Sequence, residues 1–257
     1  MQLECFELEV SGKTALLELA RPEQLNVLDE RALSELELVL EHLQERGVKA
    51  VVLTGQGRAF AAGADVKAMA EMDPGSARAF SLKGNEVFLQ LEKHPAIFVA
   101  AVNGYALGGG MELALACDLR LASSRAVFAQ PEIGLGIIPG FGGTQRLPRL
   151  IGPARAKEWI LTGKRYTAQE ALEAGLVMEV VESEELLAKA QTLAAELAAK
   201  SGPILALAKR AVQAGTELAA ANISLEAGLF GECFTHRDAL EGLRAFVERR
   251  EPDFQDR

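Results

Sequence analysis

NGYALGGGMELALACD, residues 103–118, sets three consecutive glycines before a lone carboxylate, Glu112, in an otherwise apolar run. GGGMELALACD reads as a helix opening at the glycines, so the free N–H groups of its first turn would project near Gly108 to Gly110. Glycine lets another molecule approach that backbone within hydrogen-bonding distance. Such donors suit a phosphate or a developing oxyanion, with the helix dipole adding to the field. Met111, Leu113, Ala114, Leu115 and Ala116 leave no polar face, so Glu112 is expected to be at least partly buried. The plainer alternative is a close strand–helix contact with a solvated Glu112, and those flanks weaken it. Burial raises a carboxyl pKa and a helix N-terminus lowers it; the sequence does not say which prevails.

A second lone acid, Glu132, stands in FAQPEIGLGIIPGFGGTQRLPRLIG (128–152), a segment rich in glycine and proline. Two carboxylates can share proton transfers to and from one substrate if both reach it, whereas a surface loop acid is the bland alternative. Gly134, Gly136 and Gly140 imitate a dinucleotide-loop spacing, but Pro139 interrupts it, so no nicotinamide site is expected. GRAFAAGADVKAM (57–69) reads as a turn of small residues after a strand. Ala61, Ala62, Gly63 and Ala64 would let a ligand lie against the backbone, with Lys67 nearby for a phosphate.

Other chemistries are poorly served. There is no GxSxG elbow, and His42, His94 and His236 lack metal-ligand spacing, so no metal is expected. Cys117 and Trp159 read as core residues.

The elements that must carry these residues alternate. Strand-like runs occur at 14–20, 48–55, 96–104, 118–123, 126–130 and 176–181, with helical periodicity at 29–47 and 76–94, which predicts an α/β fold. The first helix has Leu33, Leu36, Leu40 and Leu43 on one face, Asp29 as N-cap and Gly47 as its stop. Helical pattern returns at 184–200, and SGPILALAKRAVQAG opens a helical tail, so a boundary is placed near Ser201, dividing 1–200 from 201–257.

The 257 residues are 49% hydrophobic and 25% charged, ordinary for a globular protein with a large core. No apolar run is long enough for a membrane span, and MQLECFELEV is acidic where a signal peptide is basic. Three scattered cysteines fit a reducing compartment, so a cytoplasmic protein is expected. A net charge of −9 opposes nucleic-acid binding.

Taken together, ARPEQLNVL, AFAAGADVK, AAVNGYALGGGMELALACD, FAQPEIGLGIIPGFGGTQRLPR, AQEALEAGLV and FVERR, in this order, resemble the crotonase family, the enoyl-CoA hydratase and isomerase superfamily. The resemblance implies a spiral of repeated ββα turns followed by a helical region for trimer formation, with trimers often paired as hexamers. It implies an acyl-CoA thioester substrate and no separate cofactor. It assigns the Ala64 and Gly109 N–H groups to the thioester oxygen, and Ala62, Asp65, Val66, Lys67, Phe246 and Arg249 to the CoA moiety, the last two approaching its nucleotide end in a neighbouring subunit. Glu23 follows the early RP motif where relatives often have a basic residue, which shifts phosphate binding toward Lys67 and Arg249. Members that hydrate 2-trans-enoyl thioesters carry both acids. On that basis Glu112 activates water and Glu132 protonates Cα. An isomerase of the same family, or an RNA-binding relative, is the alternative.

Overall fold

The computed structural model describes residues 3–214 together with 237, 238, 241, 245, 248, 250 and 252–255. The chain opens with a hairpin, β1 (Phe6–Ser11) and β2 (Thr14–Leu19), followed by α1 (Glu30–Glu45). Three further turns follow. They are β3 (Ala50–Gly55) and β4 (Ala59–Ala62) with α2 (Val66–Ala70) and α3 (Pro74–Lys93), then β5 (Ile97–Val102) and β6 (Tyr105–Leu107) with α4 (Gly109–Ala116), then β7 (Leu119–Ser123) and β8 (Val127–Ala129) with α5 (Gly143–Ile151). After α6 (Pro153–Thr162) come β9 (Tyr166–Thr167), α7 (Ala168–Glu173), β10 (Glu179–Val181), α8 (Leu186–Ala198) and α9 (Gly202–Ala214).

In each of those three turns the first strand joins a six-stranded sheet, ordered β1-β2-β3-β5-β7-β10, and the second joins a four-stranded sheet, β4-β6-β8-β9. The fold is therefore α/β, with the ββα unit repeated along a spiral. Pairing is parallel from β2 across to β10 and from β4 to β8, with β1 and β9 antiparallel at the edges. Parallel strands covered on both faces should be apolar throughout, and AVVLTG and IFVAAV are buried at every position. Their alternate residues part company. Val51, Leu53, Phe98 and Ala100 join the main core, while Ala50, Val52, Val99 and Ala101 meet Leu186, Ala190 and Ala194 of α8.

Local signals hold where they were strongest. Leu33, Leu36, Leu40 and Leu43 of α1 are buried, and the Asp29 carboxylate accepts the Ala32 N–H at 2.8 Å, a cap that contributes about 1 kcal/mol. The segment 57–69 departs from the expected turn. It holds β4 and α2, because Ala59, Ala61 and Ala62 pair with β6; alanine has little strand preference of its own, so the partner strand decides. The run 176–181 yields a strand only at its end, since the Leu176 N–H closes α7 on the Ala171 carbonyl.

Helix α9 starts at Gly202 and is pinned to the core by Lys209. Its Nζ donates to Asp118 Oδ2 at 2.8 Å and to the Ala96 carbonyl at 3.1 Å. Phe246 and Arg249 lie outside the described residues, and so does the side chain of Lys67. Among the described residues no helix is long and apolar enough to cross a membrane, and no group of three or more His, Cys, Asp or Glu could hold a metal ion.

Candidate active site

The three glycines have three different reasons. Gly108 adopts φ 52°, ψ −124°, a region open essentially to glycine alone. Gly109 begins α4, so its N–H has no carbonyl four residues back to bond. Gly110 lies against β4: a Cβ there would fall 1.9 Å from the Ala61 carbonyl oxygen. Close contact of helix on strand, the plain reading of this stretch, is thus true of Gly110 and insufficient for its neighbours.

Ala64 reaches the same place from the other side. It forms a bridge with Leu28, whose N–H donates to the Gly63 carbonyl at 2.9 Å. In a parallel bridge of this kind the bonds run through the residues flanking Ala64, which turns its own N–H away from Leu28. A Cβ at Gly109 would sit 3.6 Å from the Ala64 nitrogen, so the two residues approach each other here. Both residues line a cavity of about 630 Å³ whose wall is largely apolar, with Met69, Met72, Phe80, Ile138 and Phe141 among its members.

Glu112 lies one helical turn beyond these donors and is 1% exposed. Its Oε1 accepts the Phe141 N–H at 2.8 Å and the Gly143 N–H at 2.7 Å. Gly143 is the first residue of α5, so the carboxylate occupies the anion-favouring end of a second helix, not only of its own. Burial lifts its pKa to about 6, against the lowering pull of the two N–H groups and of Arg146. Burial therefore prevails over all three.

Glu132 comes from a short 3-10 turn, Pro131–Leu135, that follows β8. It lines the same cavity as Glu112, and neither of its carboxyl oxygens has a hydrogen-bond partner among the described residues. Burial is the main cause that carries its pKa up to about 7, and the Glu112 charge adds to it. A Cβ at Gly108 would lie 2.9 Å from Glu132 Oε1, so the missing side chain at 108 is what makes room for this acid.

Ala62, Ala64, Val66, Gly109, Glu112 and Glu132 all border the cavity. Asp65 does not; its Oδ1 accepts the Ala68 N–H at 3.3 Å at the start of α2. Cys117 is buried and its thiol is pushed up to about 12, chiefly by burial, and Trp159 stacks on Tyr166 at 3.8 Å; both are packing residues as expected. Sequence reasoning passed over Arg146, Glu92 and Gln130. The Gln130 Oε1 is buried without a partner and would lie 2.6 Å from a Cβ at Gly143, close to Glu112. An Arg just after the glycines of a glycine-rich segment was the available signal for Arg146, shared with Arg149 three residues on; Glu92, on an amphipathic helix, offered none.

A largely apolar cavity bordered by two backbone donors and two carboxyl groups near neutral pKa can hold an oxygen that gains negative charge and move protons beside it. The family model described as Enoyl-CoA hydratase/isomerase matches residues 9–257. The chain is 44% identical over 253 residues to the short-chain-enoyl-CoA hydratase of Clostridium acetobutylicum, covering 97% of each chain. It is 43% identical over 258 residues to the crotonyl-CoA hydratase of Syntrophomonas wolfei, covering 99% of each. Among solved structures, an enoyl-CoA hydratase from Bacillus anthracis superposes with a TM-score of 0.94 at 39% identity, over 99% of this chain and 100% of the other.

Proposed function

The chain belongs to the enoyl-CoA hydratase/isomerase family, and from that premise we propose how its site works. It is an enoyl-CoA hydratase, adding water across a 2-trans-enoyl-CoA to give the 3-hydroxyacyl-CoA. The observation that carries the reading is that Glu112 and Glu132, from different elements, face one cavity that also presents the Ala64 and Gly109 N–H groups. An isomerase needs one acid to shuttle a proton; adding water to Cβ while protonating Cα uses two.

The thioester oxygen is held by the Ala64 and Gly109 N–H groups. As the water oxygen bonds to Cβ, charge passes through the conjugated system to that oxygen, and the paired donors stabilise the enolate-like state more than the substrate. Glu112 takes the proton of the attacking water and Glu132 delivers one to Cα. The pair as a whole gains one proton and gives one up, so the reaction draws none from solvent.

The rest of the reading has less behind it. Two relatives carry short-chain names, which supports a short acyl group and a role in acyl-CoA breakdown such as fatty-acid β-oxidation. Ala62, Asp65, Val66 and Lys67, with Phe246 and Arg249, contact the CoA moiety; CoA enters as part of the substrate and no further cofactor takes part. Residues 1–200 form the catalytic core, and 201–257 assemble the chain into trimers or hexamers in the cytoplasm.

Crotonyl-CoA tests the activity. Its conjugated-thioester absorbance should fall on mixing with the protein, with 3-hydroxybutyryl-CoA as product. Tight binding of crotonyl-CoA with no hydration would overturn the hydratase reading.

A further inference from the structure

Behind Glu112 lies a second set of polar groups, and some of the residues that supply it, Ser81, Gly140 and Phe141, also border the cavity. Arg146, on α5 and 7% exposed, donates from Nε to Glu92 Oε1 and from Nη2 to Glu92 Oε2, both at 2.8 Å. Its remaining arm, Nη1, donates to the Phe141 carbonyl at 2.7 Å. One residue earlier, the Gly140 carbonyl accepts from Ser81 Oγ at 2.5 Å and from Asn85 Nδ2 at 2.8 Å. The Phe141 ring is wedged edge-on between Phe80 and Phe88, 5.1 and 5.7 Å between centroids. The carbonyls of 140 and 141 are thus tied to α3 and α5, and the same turn presents the Phe141 and Gly143 N–H groups to Glu112 Oε1.

We propose that Arg146, locked by Glu92, is a positioning residue for hydration: it holds the 140–143 turn so that two backbone N–H groups clamp Glu112 Oε1 and aim Oε2 at the water. The proposal rests on the reading of Glu112 as the group that activates water. The forked guanidinium suits the task because three arms in one plane fix two partners relative to each other, which a lysine does not do. Removing it frees the turn, and a carboxylate with one oxygen unclamped samples orientations that do not face Cβ; misplacement on the order of 1 Å is enough to slow a proton transfer severely.

The charged groups around Glu112 are Glu132 from the turn after β8, Arg146 from α5, and Glu92 from α3 behind Arg146. Strands β4 (AFAA) and β6 (YAL), also packed on α4, carry no carboxylate, Lys, Arg or His. Arg146 holds the Glu112 pKa down, so its loss should move the acid limb of the rate profile upward.

The test measures kcat, KM and the pH profile with crotonyl-CoA for Arg146→Gln, Arg146→Lys and Glu92→Gln, in the wild-type and Glu112→Gln backgrounds. Arg146→Gln should lower kcat about 10- to 100-fold, leave KM within about threefold, and shift the acid limb to higher pH. Glu92→Gln, which keeps the side chain's shape, should lower kcat to a smaller degree and shift the acid limb the other way, to lower pH, because the Arg146 charge is then no longer offset. Arg146→Lys should restore the limb and not kcat. In the Glu112→Gln background neither Arg146→Gln nor Glu92→Gln should cost anything further, because the group they position is gone. Equal losses in both backgrounds, an unmoved acid limb, or full kcat in Arg146→Lys would overturn the proposal. Carbon-13 NMR titration of labelled glutamates, with the Glu112 signal identified by its loss in Glu112→Gln, keeps the two readings apart. A wild type that fails to hydrate crotonyl-CoA refutes the hydratase reading, and a Glu112 midpoint unchanged by Arg146→Gln or Glu92→Gln refutes this one.

Discussion

Glu112 Oε1 accepts two backbone N–H bonds and the residue feels the Arg146 charge, whereas neither oxygen of Glu132 has a partner among the described residues. That difference sorts the pair: the supported carboxyl ionises first, near 6, and the unsupported one keeps its proton to about 7. A base must be ionised and an acid protonated, so kcat/KM for crotonyl-CoA should peak between these values. It should fall on the acid side as Glu112 takes up a proton and on the alkaline side as Glu132 loses one, with both limbs belonging to the pair because the charges interact. Glu112→Gln and Glu132→Gln should each lower kcat by about 10² to 10⁴ while acyl-CoA still binds; a near-full rate in either variant would refute that residue's role. Stability carries the opposite sign. A carboxyl whose pKa is raised in the folded state binds protons more tightly there, so its contribution is full below the unfolded pKa and is lost as pH rises through the folded one. Glu132→Gln should therefore melt roughly 2 to 6 °C above wild type at pH 8, and the difference should vanish near pH 4. The acids themselves were readable as lone carboxylates among apolar residues. Their order of ionisation was not, because Phe141, Gly143 and Arg146 come from 29 to 34 positions further along the chain than Glu112.

At the scale of elements, the site depends on how closely α4 lies on β4. Gly110→Ala would drive a methyl into the Ala61 carbonyl, which is backbone, with no flexible side chain to yield. The helix must lift, moving the Gly109 N–H away from Ala64 and Glu112 away from the 141–143 turn. The expected outcome is a melting temperature lower by roughly 3 to 10 °C, from an overpacking cost of about 1 to 3 kcal/mol, together with loss of both kcat and crotonyl-CoA affinity. Gly134→Ala serves as the control, since nothing lies within 4 Å of its Cβ position, and it should match wild type in calorimetry and kinetics. The start of α4 was legible because glycines before an apolar helical run mark a boundary through backbone freedom alone. Strand β4 was not, since AFAA has no alternation and becomes a strand only when β6 lies beside it.

For the whole molecule, successive ββα turns stack so that β4, β6 and β8 bring Ala64, Gly109 and Glu132 to one end of the small sheet. Helix α9 is held on the core by the Lys209–Asp118 pair, whose side chains are 6% and 15% exposed. Lys209→Met should leave Asp118 with the Phe98 N–H and the Arg120 charge but no ion-pair partner and cost about 3 kcal/mol, seen as a lower denaturation midpoint, and adding Asp118→Asn should recover part of it. Additive losses in the double variant would show that the two residues do not act as a pair. The α/β class, the apolar strand runs, the capped amphipathic α1 and the order of the motifs were determined by sequence alone, because hydrophobic period, caps and glycine placement act over a few residues. Only the tertiary structure decided that Glu132 shares a cavity with Glu112, that burial outweighs two N–H bonds and the Arg146 charge at Glu112, and that Glu92 reaches across 54 positions to hold Arg146. Those facts depend on how the turns of the spiral stack, and the energies that govern them, desolvation and charge across short distances, exist only once the chain has closed around them.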